Sequence, residues 1–103
     1  MTAPTPISVG AGERTYIRTG GHAEVHAGGH AIVLRGAEAT VLEGGYATVE
    51  TGGHAEVHAG GYGIVLRGAE ATVLEGGYAE VHAGGYAIVS QGGQAIHLDG
   101  RTG

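Results

Sequence analysis

The chain of 103 residues contains no cysteine, tryptophan, phenylalanine, lysine or asparagine. The lack of cysteine excludes a disulfide framework and thiolate chemistry. All five cations are arginines, and ten carboxylates outnumber them. A net charge of −5 without a basic cluster argues against binding to nucleic acid or to an anionic membrane surface.

Long apolar runs are absent as well, and no segment approaches the length of a membrane span. The start of the chain, MTAPTPISVG, has neither the charged nor the apolar region of a signal peptide. We therefore expect synthesis in the cytoplasm and no membrane span. Export by another route, or release inside a virus particle, is compatible with such a start.

Small residues are abundant instead: the chain has 23 glycines, and its apolar residues are mostly alanine and valine. Glycine loses more backbone entropy on folding than any other residue, about 0.5–1 kcal/mol more than alanine in a regular element. Because small side chains also bury little area, a lone monomer should be only marginally stable. The composition therefore predicts self-association, or stacking that continues along an axis.

An octapeptide repeat organises these residues. Glycine recurs at every eighth position from Gly20 to Gly100, and we number each octad from this glycine. In the ten complete octads, the second position is glycine in eight, the fourth is alanine in nine and the sixth is valine in nine. Residues 20–51 and 52–83 match at 27 of 32 positions, which indicates a duplicated block of four octads.

The octad predicts a short β-strand. Alanine and valine two residues apart have the period of a strand, and a glycine pair every eight residues disfavours a helix. Positions four and six share one face of such a strand, and positions three, five and seven share the other. The valines at position six form the predicted core: Val25, Val33, Val41, Val49, Val57, Val65, Val73, Val81 and Val89.

Two all-β architectures fit this pattern. In a parallel β-solenoid, or β-helix, equal octad positions stack in columns; in an antiparallel meander, Gly-Gly pairs form two-residue hairpins. The uniform alanine and valine positions favour the solenoid, because a narrow interior admits only one small side chain at each level. The predicted organisation is an N-terminal cap or arm at 1–11, an octapeptide-repeat domain at 12–99 and a C-terminal tail at 100–103.

The octads GGHAEVHA, GGHAIVLR and GGYAIVSQ resemble the glycine-punctuated repeats of bacteriophage tail spikes and type VI secretion spikes. That resemblance implies a β-helical needle in which three chains are wound together. The segment GG-x-[AQ]-x-V also resembles repeats of autotransporter passenger β-helices. Both resemblances imply a rigid rod that is extracellular or carried by a virion, and neither implies a site residue.

Aliphatic residues at the outward positions predict an interface. Exposed in a monomer they would form hydrophobic patches, which an oligomer, with a trimer favoured, or a larger protein assembly would cover. The interface candidates are Ile32, Leu34, Leu42, Ile64, Leu66, Leu74, Ile88 and Leu98.

Histidines are the most conspicuous polar residues, and His22, His26, His54 and His58 are the candidate metal ligands. Residues four apart on a strand are about 13 Å apart, so a metal ion would need ligands from neighbouring strands. Surface histidines copied by duplication are the favoured interpretation. Protonation of all seven would change the net charge from −5 to about +2 near and below pH 6.

Other polar residues predict no catalytic or cofactor site. Glu24, Glu56 and Glu80 recur on the outward face without a nucleophile or a cleft. Tyrosine occupies position three in four octads: Tyr46, Tyr62, Tyr78 and Tyr86. A row of these rings would form either a ladder that stabilises the stack or a surface that binds sugars, and the ladder is the favoured interpretation.

The sequence therefore predicts a non-enzymatic structural protein, a rigid component of a virion or extracellular assembly such as a phage spike, fibre or capsid decoration. The alternative is an adhesin-like or carbohydrate-binding β-solenoid module.

Overall fold

Residues 7–98 form a parallel β-solenoid in the computed structural model, which describes these residues except for the side chains of His97 and Leu98. Each octad supplies one strand and one corner, and two octads complete one coil. Strands therefore pair 16 residues apart, as Val25 does with Val41. The predicted solenoid is confirmed, and the meander is wrong because all strand pairings in this range are parallel.

In the described part of the chain, twelve strands alternate between two six-stranded sheets. Sheet A contains β1 (Ile7–Val9), β3 (His22–Val25), β5 (Glu38–Val41), β7 (His54–Val57), β9 (Glu70–Val73) and β11 (Tyr86–Val89). Sheet B contains β2 (Arg14–Ile17), β4 (His30–Val33), β6 (Tyr46–Val49), β8 (Tyr62–Val65), β10 (Tyr78–His82) and β12 (Gln94–Leu98). Six strands about 4.8 Å apart make each sheet span about 24 Å along the axis of the solenoid. Within residues 7–98, no helix is long and apolar enough to cross a membrane.

The core is a double column of alanine and valine enclosed by the two sheets of one chain. The position-six valines from Val25 to Val81 are at most 1% exposed, and Ile17 is fully buried in the same column. Val89 differs from the prediction: it is 42% exposed. It lies on β11, the last strand of sheet A within the described residues.

Each corner is a four-residue β-turn with the octad glycine at its third residue. In the turn Arg18–Gly21, the amide of Gly21 donates to the carbonyl of Arg18 at 2.8 Å, and Gly20 has a φ of 83°. A positive φ at the third residue is typical of a type II turn, and glycine adopts it without strain. The octad glycine therefore allows the chain to pass from one sheet to the other.

The second glycine of each pair meets a different constraint, which depends on the corner. We call the corner that leads into sheet A corner A, and the one that leads into sheet B corner B. At corner B, a Cβ atom on Gly45 would lie 2.5 Å from the carbonyl oxygen of Val25 in the preceding coil. At corner A, the nearest atom to a Cβ on Gly53 would be 2.9 Å away, and Ala37 and Ala69 occupy the same position in other coils.

The first described strand lies in the segment at the N-terminal end of the repeats. Strand β1 lies within the segment 1–11 that was predicted as a cap or arm, and Val9 pairs with Val25 and is fully buried. The octad pattern does not identify this strand, because residues 4–11 contain no glycine pair. Ile7 and Val9 nevertheless keep the two-residue alternation of a strand. The predicted tail at 100–103 lies outside the described residues.

Candidate functional surface

The outward side of sheet A carries a repeating set of side chains, which we call the polar face. Because the duplicated block spans two coils, the same side chains recur on every second coil, about 9.6 Å apart at about 4.8 Å per coil. The polar face consists of His22, Glu24, His26, Glu38, Thr40, Leu42, His54, Glu56, His58, Glu70, Thr72 and Leu74.

Glu38 lies between two histidines in one column of the polar face. Nδ1 of His22 and Nδ1 of His54 are each 3.9 Å from a carboxylate oxygen of Glu38. On the other side of each ring, Nε2 lies within hydrogen-bond distance of a threonine hydroxyl: 3.1 Å for Thr40 and 3.4 Å for Thr72. At 3.9 Å the contacts with Glu38 are longer than hydrogen bonds, so each ring is held by its hydrogen bond with threonine and lies beside the carboxylate.

Sequence reasoning missed Glu38 and the threonines as partners of the histidines. The signal that could have found them is the coil length. Once two octads are taken as one coil, His22, Glu38 and His54 fall in one column. Octad spacing alone leaves the number of octads per coil open, so it places no two of these side chains together.

The remaining histidines of the polar face pair with glutamates of their own strands. Nε2 of His58 lies 3.0 Å from Oε1 of Glu56, and Nε2 of His26 lies 3.9 Å from Oε1 of Glu24. All four side chains are substantially exposed, so each pair contributes only about 0–1 kcal/mol to stability.

The four histidines predicted as candidate metal ligands fall in two separate columns. His22 and His54 approach Glu38 from opposite sides, whereas His26 and His58 each contact a different glutamate. Across residues 7–98, no group of three or more His, Cys, Asp or Glu side chains is arranged to hold a metal ion.

The polar face is shallow. An open depression of about 390 Å³ lies beside the Glu38 column, with His22, His54 and the glycines of corner A along its walls. Glu80, the third glutamate considered in the sequence, lies on sheet B, with an oxygen 3.7 Å from Nε2 of His82. The arrangement can present hydrogen-bonding groups and charge at a fixed spacing to a flat partner.

Sheet B carries an aromatic column instead, which we call the tyrosine ladder. Tyr46, Tyr62 and Tyr78 stack at centroid distances of 5.1 and 5.0 Å with interplanar angles of 7° and 13°. His30 continues the column, 4.4 Å from the ring of Tyr46 and tilted by 53°. Tyr86, grouped with these tyrosines in the sequence, lies on sheet A and is 59% exposed.

Burial in this column shifts the pKa of three side chains. Burial raises the pKa of Tyr62, and the nearby Glu80 carboxylate raises it further. Burial also raises the pKa of Tyr46. Burial lowers the pKa of His30, and the positive charge of Arg14 adds to this effect. All three shifts favour the neutral form of the side chain, which suits a structural role for His30, Tyr46 and Tyr62.

The predicted interface residues are more covered than the sequence suggested. Ile32 is only 8% exposed, because its column places it between Tyr16 and Thr48. Ile88, on the last strand of sheet A, is 46% exposed. The side chain of Leu98 lies outside the described residues, and the other candidates are half-buried: Leu34, Leu42, Ile64, Leu66 and Leu74.

Comparison with known proteins finds similarity to a solved structure. No protein-family model matches the chain, and no curated protein matches it. Among solved structures, the chain is similar to the crystal structure of the TibC-catalysed hyper-glycosylated TibA55-350 fragment, with 30% identity and a TM-score of 0.57. The match covers 87% of this chain but 35% of that one, so the chain spans about a third of the TibA fragment. The resemblance to β-helical repeat proteins is thus supported at the level of the fold.

Proposed function

We propose that the chain is a non-enzymatic structural module, a rigid segment of an extracellular or virion-borne assembly. The observation that carries this proposal is the continuity of the core. The double column of alanine and valine runs through the successive coils, and the outward pattern repeats with a period of two coils. Such a rod keeps identical side chains at fixed spacing.

The chemistry of the outer faces supports a non-enzymatic role. Histidines and glutamates of the polar face pair with one another on an open surface. In the tyrosine ladder, neighbouring rings stack on one another, so each ring covers a face of the next. A catalytic constellation needs a nucleophile or base held over a water-excluding cleft, and groups on an open face make a poor candidate for one.

Localisation in the source organism tests this proposal. Gold-labelled antibodies against the chain would be applied to intact cells, to thin sections and to phage particles released from the same culture, with pre-immune antibody as the control. Label on the cell surface or on particles is the expected result, and the two positions separate a surface module from a virion component. Label confined to the cytosol in sections would contradict the proposal.

An adhesin-like, carbohydrate-binding module is the second candidate, and the exposed ring of Tyr86 favours it. This ring lies in the same sheet as the polar face and is 59% exposed. Both faces of Tyr62, by contrast, are covered by neighbouring rings. A glycan array with the native chain, Tyr86→Ala and the control Tyr62→Phe tests it: this candidate requires saturable binding that only Tyr86→Ala removes.

A further inference from the structure

The two halves of the duplicated block differ on one sheet only. Residues 20–51 and 52–83 differ at five positions, and all five lie in octads that supply sheet B. The octads that supply sheet A are identical in the two halves: GGHAEVHA in one pair and GAEATVLE in the other. The polar face therefore repeats without change, which singles it out as the surface whose spacing would matter to a partner.

Each column of the polar face alternates between two kinds of side chain on successive coils. One column alternates histidine with glutamate: His22, Glu38, His54 and Glu70. The second column alternates glutamate with threonine, and the third alternates histidine with leucine. The face thus holds four glutamates and four histidines, so its formal charge is −4 when the histidines are neutral and zero when all four are protonated.

The corners that border the polar face alternate in the same way. Threonine and arginine alternate at corner A: Thr19, Arg35, Thr51 and Arg67. Alanine and glutamate alternate at corner B: Ala27, Glu43, Ala59 and Glu75. The charged residues at both corners are exposed. Every charge on this side of the chain from residue 20 to residue 75 therefore belongs to a pattern with a period of two coils.

We propose that the polar face binds the polar face of a second copy of the chain, with the two rods antiparallel and related by a two-fold axis between the coils of Glu38 and His54. A two-fold contact brings the same surface of both copies together, so that surface must complement itself. The inference rests on the pattern of the polar face and not on the proposed function.

The alternation makes the polar face complementary to itself under this axis. Glu38 faces His54 of the second copy, and His22 faces Glu70. In the other two columns, glutamate faces threonine and histidine faces leucine. At the corners, arginine faces threonine and glutamate faces alanine. From residue 20 to residue 75, no charge on this side faces a like charge, which is the complementarity that a specific contact needs.

Other two-fold contacts of the same face bring like side chains together. An axis through a coil, instead of between two coils, would place Glu38 against Glu38 of the second copy. An axis parallel to the rod would exchange the outer columns and place His22 against His26. Like charges face to face disfavour both arrangements.

The period of the pattern favours a second copy as the partner. A flat partner keeps its contacts in register along the rod only if its own groups recur about every 9.6 Å, the height of two coils. A second copy of the chain has this period by construction, and it carries both kinds of side chain that the pattern needs.

The size of the polar face predicts a weak dimer. Sheet A is about 24 Å long and, at about 3.4 Å per residue over about six residues, about 20 Å wide, so it offers about 480 Å² per copy. The total of about 960 Å² is in the range of weak complexes, so we expect dissociation in the upper micromolar range or weaker. The trimer favoured by the sequence stays a prediction, and it is one of the outcomes that the experiment distinguishes.

Sedimentation equilibrium of the full chain over about 10 μM to 1 mM tests the proposal. At about pH 5.5, where histidine is mostly protonated, the mass should rise from 10.2 kDa toward twice that value and no further. At about pH 8 the histidines are mostly neutral and the glutamates of the two faces repel one another, so dimerisation should be at least about tenfold weaker. A chain that is monomeric at both pH values, a trimer, a mass that keeps rising or tighter dimerisation at the higher pH would each overturn the proposal.

Charge reversal on the two sides of one contact tests the register at about pH 5.5. Glu38→Lys places a lysine against His54 of the second copy, and His54→Glu places a glutamate against Glu38. Each variant alone should therefore dimerise at least about tenfold more weakly than the native chain. A mixture of the two should associate again, because the introduced lysine then faces the introduced glutamate and the remaining His54 faces the remaining Glu38. A mixture that associates no more tightly than either variant alone would overturn the proposal.

The matched control is Glu50→Lys, the same reversal of charge on the outward side of sheet B. It should leave dimerisation unchanged, and a loss as large as that of Glu38→Lys would overturn the proposal. The side chains of Glu38 and His54 are 57% and 40% exposed, and Glu50 is half-buried, so circular dichroism should show the native fold for all three variants.

The absence of cysteine provides a readout of the orientation of the two rods. A single introduced thiol is the only one in the chain, so a short bis-maleimide can cross-link only two copies. Under the proposed axis, the thiols of two Thr40→Cys chains lie one coil apart along the rod, about 4.8 Å, and those of Ile88→Cys chains lie five coils apart, about 24 Å. Cross-linked dimer from Thr40→Cys but not from Ile88→Cys is the expected result. Equal cross-linking of both, or cross-linking of Ile88→Cys alone, would overturn the antiparallel contact.

Discussion

Corners A and B look alike in the sequence but differ in the space that they leave for a side chain. At three of the five B corners that have a second glycine, a Cβ atom on that glycine would lie 2.5 to 2.7 Å from a valine carbonyl of the preceding coil: Gly29, Gly45 and Gly77. At the A corners that have a second glycine, the nearest atoms would be 2.9 to 3.0 Å away: Gly21, Gly53 and Gly85. The same distances apply to the other two B corners, at Gly61 and Gly93. The two octads that have alanine in place of the second glycine, at Ala37 and Ala69, both form corner A.

This difference shows that one sequence motif meets two physical constraints. The first glycine supplies a positive φ at both corners, whereas the second permits a close approach that is tightest at corner B. The side chains that follow also differ. Corner B leads into the tyrosine ladder and corner A into the polar face.

Alanine at the second glycine position should separate the corners most clearly. We expect Gly45→Ala to lower the free energy of unfolding by about 3 kcal/mol, because the preceding coil must move away from the new methyl group. Gly53→Ala is the matched control at corner A, where the nearest backbone atom would be 2.9 Å away instead of 2.5 Å, and it should cost less, about 1–2 kcal/mol. Urea denaturation of both variants measures the difference, and equal losses would show that the two corners are equivalent.

Alanine at the first glycine position should affect both corners alike. A Cβ atom on Gly20 would have no atom within 4 Å of it beyond its chain neighbours, so Gly20→Ala tests the φ of 83° alone. We expect a loss of about 1–2 kcal/mol, the cost of a left-handed conformation for an L-residue. Gly76→Ala, at corner B, has the added contact with Ala59 at 2.9 Å and should lose at least as much in thermal denaturation. A smaller loss there would contradict this interpretation.

The alanines that replace the second glycine at corner A, Ala37 and Ala69, should stabilise the fold relative to glycine. Ala37 is 3% exposed, so Ala37→Gly removes a buried methyl group and adds backbone freedom to the unfolded chain. We expect a loss of about 1 kcal/mol. Thermal denaturation of Ala37→Gly beside Ala69→Gly checks this value, because both residues occupy the same place two coils apart. A gain in stability would mean that alanine is strained at corner A.

Much of this architecture could be predicted from the octad. The alternation of alanine and valine identified the inward residues, and its uniformity favoured the solenoid over the meander. The length of the coil could not be predicted, because every octad has the same inward pattern and so pairs equally well with any other. The contact of His22 with Glu38 depends on that length and was therefore missed.

The ends were also hard to predict, for a different reason. Val89 has the octad position of a core residue, but burial depends on a further coil beyond it, and position in the repeat says nothing about this. At the other end, Ile7 and Val9 form a strand without the glycine pair that marks the octads. Local alternation thus defines a strand, whereas its neighbours decide how deeply it is buried.

The smallest expected effect on stability is that of a substitution at His30, the first residue of β4. His30→Tyr would extend the tyrosine ladder and copy Tyr62, its counterpart in the duplicated block, with a gain of about 0.5 kcal/mol at pH 7.5. The pKa of His30 is lowered in the folded chain, so the unfolded chain binds more protons below pH 6.5. The native chain therefore loses stability as the pH falls from 6.5 through this lowered pKa, and His30→Tyr lacks that loss. Thermal denaturation at pH 7.5 and pH 5 should show a larger advantage for His30→Tyr at pH 5, and an advantage independent of pH would contradict the burial of the His30 ring.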